Sequence, residues 1–462
     1  MILKEKINTP LSEFLSLLFS KLEEKQQLYC ICGNYHELPY YTKNDVDIWT
    51  KNPRVICEII EDISREQNKV IYLKNKNATG TNFFIWYDSG KEIDLIHIDV
   101  LVECRWYSFL PLVKSHIIEK QRKKYNGFFV ANDTVDAAMH FMYPLAHFGK
   151  IPAKYKDDIK RKSQDKFFWE IVETGWGKSF SQYLKKLVDT DEWSKLENTF
   201  NNNKIKIAMH SLSKMRKSEL KSVVKFISSN FQRYFYPTGL FIAFIGPDGC
   251  GKTTALNNLQ PFFQKGFTKG KIKKFYWRPF LLPRIKQILQ INSKEIIEDN
   301  EDPSERLKLR TAGFIKRSSH CIKLLYYFID YLLGRIKYQG AWSRGGIVCF
   351  DRYWDDLLIF PERFGLNVPR SLVKILGVFI PKPDIIFYLH AEPDVLIARK
   401  PELPYEEMSR QIRGYKDLMK DDSRFVLIEA DCSENEVLNK IIRTCLEKMS
   451  KRYPENRCTT QG

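Results

Sequence analysis

Apolar residues near the start of the chain follow two patterns. Leu11, Leu15, Leu18 and Leu22 recur at helical spacing and predict an amphipathic helix. Between residues 26 and 105, β-branched and aromatic runs alternate with polar turns, which predicts strands. The strand-like runs are QLYCICG, NKVIYLKN, NFFIWYD and EIDLIHIDVLVEC. A helical run, NPRVICEIIEDISREQ, separates the first of them from the second, so this region is expected to be α+β.

The pattern changes twice further along. From 110 to 230, apolar residues three and four apart predict helices, and the asparagines at 201–203 are expected to interrupt them. From residue 240, strands alternate with helical runs, which predicts an α/β fold with a parallel sheet; the strands are LFIAFI, KIKKFYW, GGIVCF, PDIIFYL and RFVLIEA. We therefore expect three domains, at 1–109, 110–234 and 235–462.

Composition narrows the function classes. The 74 Lys and Arg against 56 Asp and Glu give a net charge of +18, which attracts polyanions. No basic run interleaved with aromatics marks a nucleic-acid groove, so nucleic acid is not the expected partner. No apolar run is long enough to span a membrane, although peripheral membrane contact stays open. Ten scattered cysteines without zinc-ligand spacing, and an N-terminus without a signal-peptide core, indicate a reduced, cytoplasmic protein.

A phosphate-binding motif follows the strand LFIAFI. The sequence GPDGCGKTT satisfies the pattern G-x-x-x-x-G-K-[ST] at Gly246, Gly251, Lys252 and Thr253. Such glycines let backbone amides surround phosphate oxygens, the lysine reaches the β- and γ-phosphates, and the hydroxyl is placed to bind Mg²⁺. We expect ATP to bind here, and the full candidate set is Gly246, Asp248, Gly249, Gly251, Lys252, Thr253 and Thr254.

Charged residues follow two later strands directly. Arg278 comes after KIKKFYW, and Asp351, Arg352 and Tyr353 come after GGIVCF. Ligands of open α/β sheets bind at the carboxyl ends of the strands. The arginines are therefore expected to hold a second phosphate, and Asp351 to help Thr253 hold Mg²⁺.

A basic segment near the C-terminus is expected to form a lid. Residues 401–405, PELPY, cannot be regular helix because of their prolines. Arg399, Lys400, Arg410 and Arg413 cluster around them and could close over the transferring phosphoryl group.

Residues 238–450 resemble the thymidylate kinase family of nucleoside monophosphate kinases. The resemblance lies in GPDGCGKTT, FDRY, WRP and PDIIFYL followed by PDVLIARK. It is closer still to thymidylate-kinase-like proteins encoded with bacterial surface-glycan genes. It implies that Asp248 contacts an acceptor sugar hydroxyl, that Arg278 and Arg352 hold the acceptor phosphate, and that ATP and Mg²⁺ are required.

That part of the chain departs from the family in two places. Pro279 directly follows Arg278, so the glutamate of the family's Arg-Glu-Pro signature is absent. A helical stretch at about 303–340 intervenes before FDRY, and its run CIKLLYYFIDYLL could be core, a homodimer surface or membrane-contacting.

The N-terminal part carries three candidate metal-binding acids. Asp45 and Asp47 share one face of a strand, and Asp94 follows on a later strand. Together with Gly33, this spacing resembles the nucleotidyltransferase fold over roughly 26–105, although Asn34 replaces the usual serine. The resemblance implies two Mg²⁺ ions for attack on a nucleotide α-phosphate. Asp99 is a rival for the third acid, facing the opposite side of the strand from Asp94. An ordinary strand-end turn, or a fold that has lost its chemistry, are the alternatives.

We expect an ATP-dependent phosphotransferase fused to a nucleotidyltransferase-like domain. Lys252, Asp351, Arg352 and Arg399 are its candidate catalytic residues, with Asp45, Asp47 and Asp94 for the second activity. The candidate substrate-binding residues are Asp248, Arg278, Arg352, Tyr353, Arg410 and Arg413. A nucleotide-binding regulatory or assembly protein with little turnover, and a nucleic-acid-modifying factor, remain as other readings.

Overall fold

The computed structural model describes residues 9–42, 45–76, 80–88, 93–106, 110–213, 217–266, 272–283 and 314–453. The chain divides into two compact units: Met1–Gln232 with Ser450–Gly462, and Arg233–Met449. The predicted division of the N-terminal region at residues 109 and 110 stays a prediction.

A seven-stranded mixed sheet forms the centre of the first unit, with strand order β3-β4-β5-β2-β1-β9-β8. Its strands are β1 (Tyr29–Cys32), β2 (Val46–Thr50), β3 (Val70–Lys76), β4 (Gly80–Asp88), β5 (Ile93–Leu101), β8 (Arg122–Tyr125) and β9 (Phe128–Ala131). A separate two-stranded sheet pairs β6 (Cys104–Trp106) with β7 (Leu110–Val113). The strands β2 and β5 run parallel, with Asp47 opposite Asp99.

Helices cover this sheet and continue beyond it. They are α1 (Pro10–Glu24), α2 (Pro53–Glu66), α3 (Ser115–Lys120), α4 (Asp133–Phe148), α5 (Ala153–Lys162), α6 (Lys166–Trp176), α7 (Lys178–Asp189), α8 (Trp193–Ser213) and α9 (Lys217–Phe235). The amphipathic helix predicted at the N-terminus is present as α1: Leu15, Leu18 and Leu22 are fully buried in one core cluster, and Leu11 packs against it.

The predicted break at residues 201–203 is wrong, because α8 runs through it. The Asn203 side chain donates to the carbonyl of Thr199, one turn earlier in the same helix, at 2.9 Å. The Asn201 side chain donates to the carbonyl of Gly149 at 3.0 Å. Both amides therefore have backbone acceptors that compensate for their low helix propensity.

The second unit has the predicted parallel sheet, with five strands in the order β11-β12-β10-β13-β14. They are β10 (Leu240–Ile245), β11 (Lys273–Tyr276), β12 (Ile347–Asp351), β13 (Ile385–His390) and β14 (Phe425–Glu429). Every residue of β10, β12 and β13 is buried. Central parallel strands are covered on both faces, which explains why they read as unbroken apolar runs in the sequence.

The helices of the second unit are α10 (Lys252–Gly266), α11 (Phe314–Trp342), α12 (Arg370–Gly377), α13 (Pro393–Arg399), α14 (Tyr405–Lys420) and α15 (Glu434–Ser450). Two 3₁₀ helices, Trp354–Leu358 and Pro361–Phe364, follow β12. The helix predicted at about 303–340 is α11, and its residues before 314 lie outside the described ones.

Helix α11 has both a buried and an exposed apolar face. Leu324, Tyr331 and Tyr338 pack in the core, whereas Ile322 and Ile336 are each 69% exposed. Part of the run CIKLLYYFIDYLL is thus core. Among the helices described, none is long and apolar enough to cross a membrane.

Candidate active site

The phosphate loop connects β10 to α10. A Cβ on Gly246, whose φ is 140°, would lie 2.7 Å from the carbonyl oxygen of Leu389, so a side chain does not fit there. Gly251 has a φ of 86°, and a Cβ at this position would meet nothing within 4 Å. The loop therefore packs tightly against β13 on one side and faces open space on the other, where backbone amides are accessible to an anion.

Lys252 is buried inside this loop. Its Nζ donates to the carbonyl oxygens of Gly246 at 3.0 Å and Pro247 at 2.6 Å. Lys252 as a whole residue is only 6% exposed, so the ammonium is held within the loop rather than in solvent.

Thr253 and Asp351 meet at the carboxyl edge of the sheet. The Thr253 hydroxyl donates to Oδ2 of Asp351 at 2.8 Å. Asp351 ends β12, where it lies in register with Phe244 of β10 and Tyr276 of β11. The parallel register thus brings the strand-end acid to the first turn of α10, as the sequence predicts for a pair that binds Mg²⁺.

Arg352, the residue after Asp351, contacts the phosphate loop. Its backbone is left-handed, with a φ of 70°, and its amide donates to the carbonyl of Phe244 at 2.8 Å. Its guanidinium donates to the carbonyl of Gly246 at 3.1 Å and lies 2.6 Å from Oδ1 of Asp248. Asp248 is ion-paired as well with Arg363, from the second 3₁₀ helix.

Asp248 and Asp356 both contact Arg352, but their pKa values are shifted in opposite directions. Burial alone would raise the pKa of Asp248, but the charges of Arg352 and Arg363 outweigh it and lower that pKa. Burial raises the pKa of Asp356 despite Arg352, whose Nη1 lies 3.2 Å away. The hydroxyl of Tyr415 donates to Asp356 at 2.8 Å, which ties α14 to this network.

Arg278 is held by a carboxylate that the sequence reading missed. Its Nη1 lies 3.0 Å from Oδ2 of Asp330 on α11, and both side chains are almost fully buried. Asp330 also accepts from the backbone amides of Phe280 at 3.1 Å and Leu282 at 2.7 Å. One buried carboxylate therefore fixes Arg278 and the backbone that follows it.

The remaining predicted residues of this unit are spread over several environments. Tyr353 is 1% exposed and donates its hydroxyl to the carbonyl of Pro381, so it lies in the core. Arg410 pairs with Glu407 at 2.7 Å, and Arg413 is exposed on α14. Arg399 donates to the carbonyl of Ala430 at 3.2 Å. Of the residues 401–405 predicted not to be regular helix, 401–404 are non-helical, as the prolines predict, whereas Tyr405 already begins α14.

A cavity of about 280 Å³ adjoins the phosphate loop. Gly249, Gly251 and Thr254 line it on the loop side, and Arg399 and Val437 line it elsewhere. Its lining combines apolar groups such as Leu389 with the cation of Arg399 and the carboxylate of Glu434, a mixed composition that can accommodate a nucleoside base.

These features fit ATP and Mg²⁺. The open face at Gly251 leaves room for a phosphate beside backbone amides. The oxygens of Thr253 and Asp351 are the hard ligands that Mg²⁺ prefers. When bound, the metal would neutralise charge on the phosphate oxygens.

In the first unit, the structure brings together a different set of possible metal ligands from the three acids expected. Asp45, His97 and Asp99 place one ligand atom each within 4.8 Å of one another. Asp47 lies opposite Asp99 in the sheet register. Asp94 is exposed near the start of β5, where it accepts from the Tyr87 hydroxyl at 3.2 Å. Because residues 94 and 99 point to opposite faces of the strand, the geometry favours Asp99 over Asp94 as the third acid.

The turn after β1 lies against two helices. The amide of Gly33 donates to Oδ1 of Asp136 at 3.0 Å, and the Tyr155 hydroxyl lies 3.4 Å from Oδ1 of Asn34. Burial raises the pKa of Asp136, although the charge of His140 opposes that shift. The polar groups of this turn are thus engaged with α4 and α5.

Comparison with known proteins gives consistent results for the second half of the chain. Residues 285–441 match the family model described as "Thymidylate kinase". The C-terminal half is similar to thymidylate kinases. The thymidylate kinase of Wolbachia pipientis subsp. Culex pipiens is 29% identical over 229 residues, covering 46% of this chain and 100% of that protein. The thymidylate kinase of Malacoplasma penetrans is 25% identical over 230 residues, covering 46% of this chain and 97% of that protein.

A solved structure of a thymidylate kinase, from Ehrlichia chaffeensis, is also similar. It is 19% identical, covers 45% of this chain and 98% of its own, and superposes with a TM-score of 0.31. The matched family region begins after the phosphate loop, so the loop and the family match are separate indications in the same unit.

Several residues of this site carry no recognised motif. Arg363 lies in the 3₁₀ helix Pro361–Phe364, and Asp330 lies in the middle of α11. Asp356 belongs to the run DRYWDD, only four residues after Arg352, so the motif itself offered it as a nearby carboxylate. The other two are identified only by their partners, which are distant in sequence.

Proposed function

We propose that the second unit transfers the γ-phosphoryl group of ATP to a nucleoside monophosphate or a related phosphorylated or hydroxyl acceptor. The hydrogen bond between Thr253 and Asp351 carries this proposal, because it joins the phosphate loop to the acid at the end of β12. The similarity to thymidylate kinases supports the same reaction class.

The chain would contribute mainly by positioning and by neutralising charge. Lys252 would exchange the carbonyls of its own loop for phosphate oxygens. Arg352 and Arg363 pair with Asp248 of the loop, whose carboxylate would contact an acceptor hydroxyl. The other cations of the lid, Lys400, Arg410 and Arg413, would close over the phosphates and exclude water, whereas Arg399 would face the base in the adjoining cavity.

The experiment is phosphoryl transfer from labelled ATP to a panel of nucleoside monophosphates, including thymidylate, and of sugar phosphates. Lys252→Ala should reduce the rate by about 10²- to 10³-fold, as the loss of one group that stabilises transition-state charge does. Lys420→Ala is the control, since Lys420 is exposed and pairs only with Asp417 among the contacts described for it. Stoichiometric ATP binding without any product would contradict the proposal and favour a nucleotide-binding regulatory or assembly protein.

A second candidate function concerns the first unit, which we propose is a nucleotidyltransferase. The convergence of Asp45 and Asp99, with Asp47 in register beside Asp99, supports it. Carboxylates grouped in this way can hold divalent ions for attack on a nucleotide α-phosphate. We also propose that the protein works in a reduced, cytoplasmic environment, because the cysteines of the described residues are free thiols.

The two activities can be separated by paired variants. Lys252→Ala should reduce phosphoryl transfer to the same extent as above and leave nucleotidyl transfer intact, whereas Asp47→Asn should do the reverse. Nucleotide incorporation from labelled nucleoside triphosphates into the kinase products is the second measurement. If both activities disappear in either folded variant, the sites are not independent.

A further inference from the structure

His97 occupies a position between two acids of the first unit. Its Nε2 lies 2.7 Å from Oδ1 of Asp99, and its Nδ1 lies 3.9 Å from Oδ2 of Asp45. The imidazole is only 8% exposed. The contact with Asp99 is within ion-pair distance but lacks hydrogen-bond geometry, and neither ring nitrogen makes a hydrogen bond among the described residues. A buried imidazole whose nitrogens are not hydrogen-bonded is costly, so a ligand that engages them together with the carboxylates would stabilise this site.

The imidazole is held in this orientation by the sheet. His97 lies opposite Phe84 in the pairing of β4 with β5, and their rings stack at 4.0 Å with an interplanar angle of 15°. The stack fixes the ring plane, so both nitrogen edges face the carboxylates rather than solvent. Asp99 shares the face of β5 with His97 because the two are two residues apart.

From this geometry we propose that Asp45, His97 and Asp99 bind a divalent ion of the zinc type, rather than the Mg²⁺ expected from carboxylates alone. Imidazole nitrogen is a good ligand for Zn²⁺ and Co²⁺, whereas Mg²⁺ takes oxygen ligands. Three protein ligands with remaining open positions are the arrangement of catalytic rather than structural zinc sites. The proposal concerns metal binding and does not rest on nucleotidyl transfer.

The experiment uses the untagged full chain with Co²⁺ as a probe for Zn²⁺. Equilibrium dialysis should find one Co²⁺ site that is not displaced by a 100-fold excess of Mg²⁺. Proton NMR of the Co²⁺ form should show the hyperfine-shifted signals of a coordinated imidazole. The Thr253–Asp351 pair supplies only oxygens and cannot give that signal. Near-ultraviolet absorption from thiolate-bound Co²⁺ would instead assign the ion to cysteines and overturn the proposal.

Two variants test the role of His97 directly. His97→Phe keeps an aromatic ring against Phe84 without a ligand atom, and His97→Asn is the smaller polar replacement. Each should weaken Co²⁺ binding at least 10-fold and remove the imidazole signals, while His116→Asn, at an exposed histidine of α3, should change neither. Wild-type protein without a coordinated imidazole, or variants that bind Co²⁺ like the wild type, would refute the proposal. The wild-type spectrum decides the question even if a variant fails to fold.

Discussion

Arg352 Nη2 lies 2.6 Å from Asp248 Oδ1, and it reaches that carboxylate from a left-handed backbone conformation with a φ of 70°. A non-glycine residue with this φ costs free energy, which the surrounding contacts must offset. The contacts that do so are the ion pair with Asp248, the bond to the carbonyl of Gly246 and the ion pair with Asp356. The arginine after β12 is thus fixed to the phosphate loop at two points, Asp248 and Gly246, and to the 3₁₀ helix Trp354–Leu358 at a third, Asp356.

The two acids around Arg352 should give opposite pH dependences of stability. The pKa of Asp248 is lowered in the folded state, so its contribution is fully present above its unfolded pKa of about 3.9 and is lost as the pH falls below it. Asp248→Asn should therefore lower the melting temperature at pH 7 and lower it less at pH 3.5.

Asp356 should behave in the reverse way. Its pKa is raised by burial, so its charged form weakens the fold increasingly as the pH rises from about 4 through the raised value. The melting temperature of Asp356→Asn relative to wild type should therefore be higher at pH 7 than at pH 3.5. Melting curves of both variants between these pH values check the two signs, and parallel trends would contradict this account.

Asp330 should be a large single contributor to the stability of the second unit. Asp330→Ala leaves Arg278 buried and unpaired, which costs about 3 kcal/mol or more. Its effect on acceptor KM should also exceed its effect on ATP KM, because Arg278 and the backbone of residues 280–282 would shift. Urea unfolding and steady-state kinetics measure both.

Asp417→Ala is the matched control for that experiment. Asp417 pairs with Lys420 on the surface of α14, where both side chains are more than half exposed. Removing an exposed pair changes stability by about 1 kcal/mol or less. Equal losses in Asp330→Ala and Asp417→Ala would show that burial of the Arg278 pair is unimportant.

Two glycines of α11 should respond to alanine in opposite directions. A Cβ on Gly334 would lie 2.3 Å from the ring of Pro279, whereas a Cβ on Gly340 meets nothing within 4 Å. Gly340→Ala should stabilise by about 1 kcal/mol through helix propensity. Gly334→Ala should destabilise by about 1–3 kcal/mol through overpacking. Thermal unfolding checks both. Stabilisation by Gly334→Ala would show that the Pro279 ring can move to make room for the added Cβ at little cost.

Arg399 should affect binding of ATP more than the chemical step. It lines the cavity next to the phosphate loop but is exposed, and an exposed cation beside an aromatic base contributes about 0.5–1 kcal/mol. Arg399→Ala should therefore raise the KM for ATP by about 3-fold, equivalent to about 0.7 kcal/mol, with a smaller change in kcat. A fall in kcat alone, with KM unchanged, would instead place Arg399 at the transferring phosphate.

The sequence was most informative where structure is local. The run LFIAFI and the loop GPDGCGKTT predicted β10 and its turn, because a buried parallel strand and a glycine-rich anion site each have a short-range signature. The pairing of Thr253 with Asp351 followed from the rule that parallel strands end at one edge.

Long-range partners could not be predicted in this way. Asp330 and Arg278 are 52 residues apart, and no periodicity links them. In the first unit, strand parity separates Asp94 from Asp99, but only the pairing of β2 with β5 decides which of them meets Asp45. His97 was overlooked because a single histidine in an apolar strand has no motif of its own.

The register of β12 sets a limit on how this protein can tolerate insertions. Asp351 owes its position to pairing with Phe244 on one side and Tyr276 on the other. One extra residue within β12 would turn the acid to the opposite face of the sheet and carry Arg352 away from Gly246. Surface connections can change in length at small cost, because loop entropy grows slowly with length. Natural or engineered length variation is therefore expected in the connections of this unit and not within its central strands.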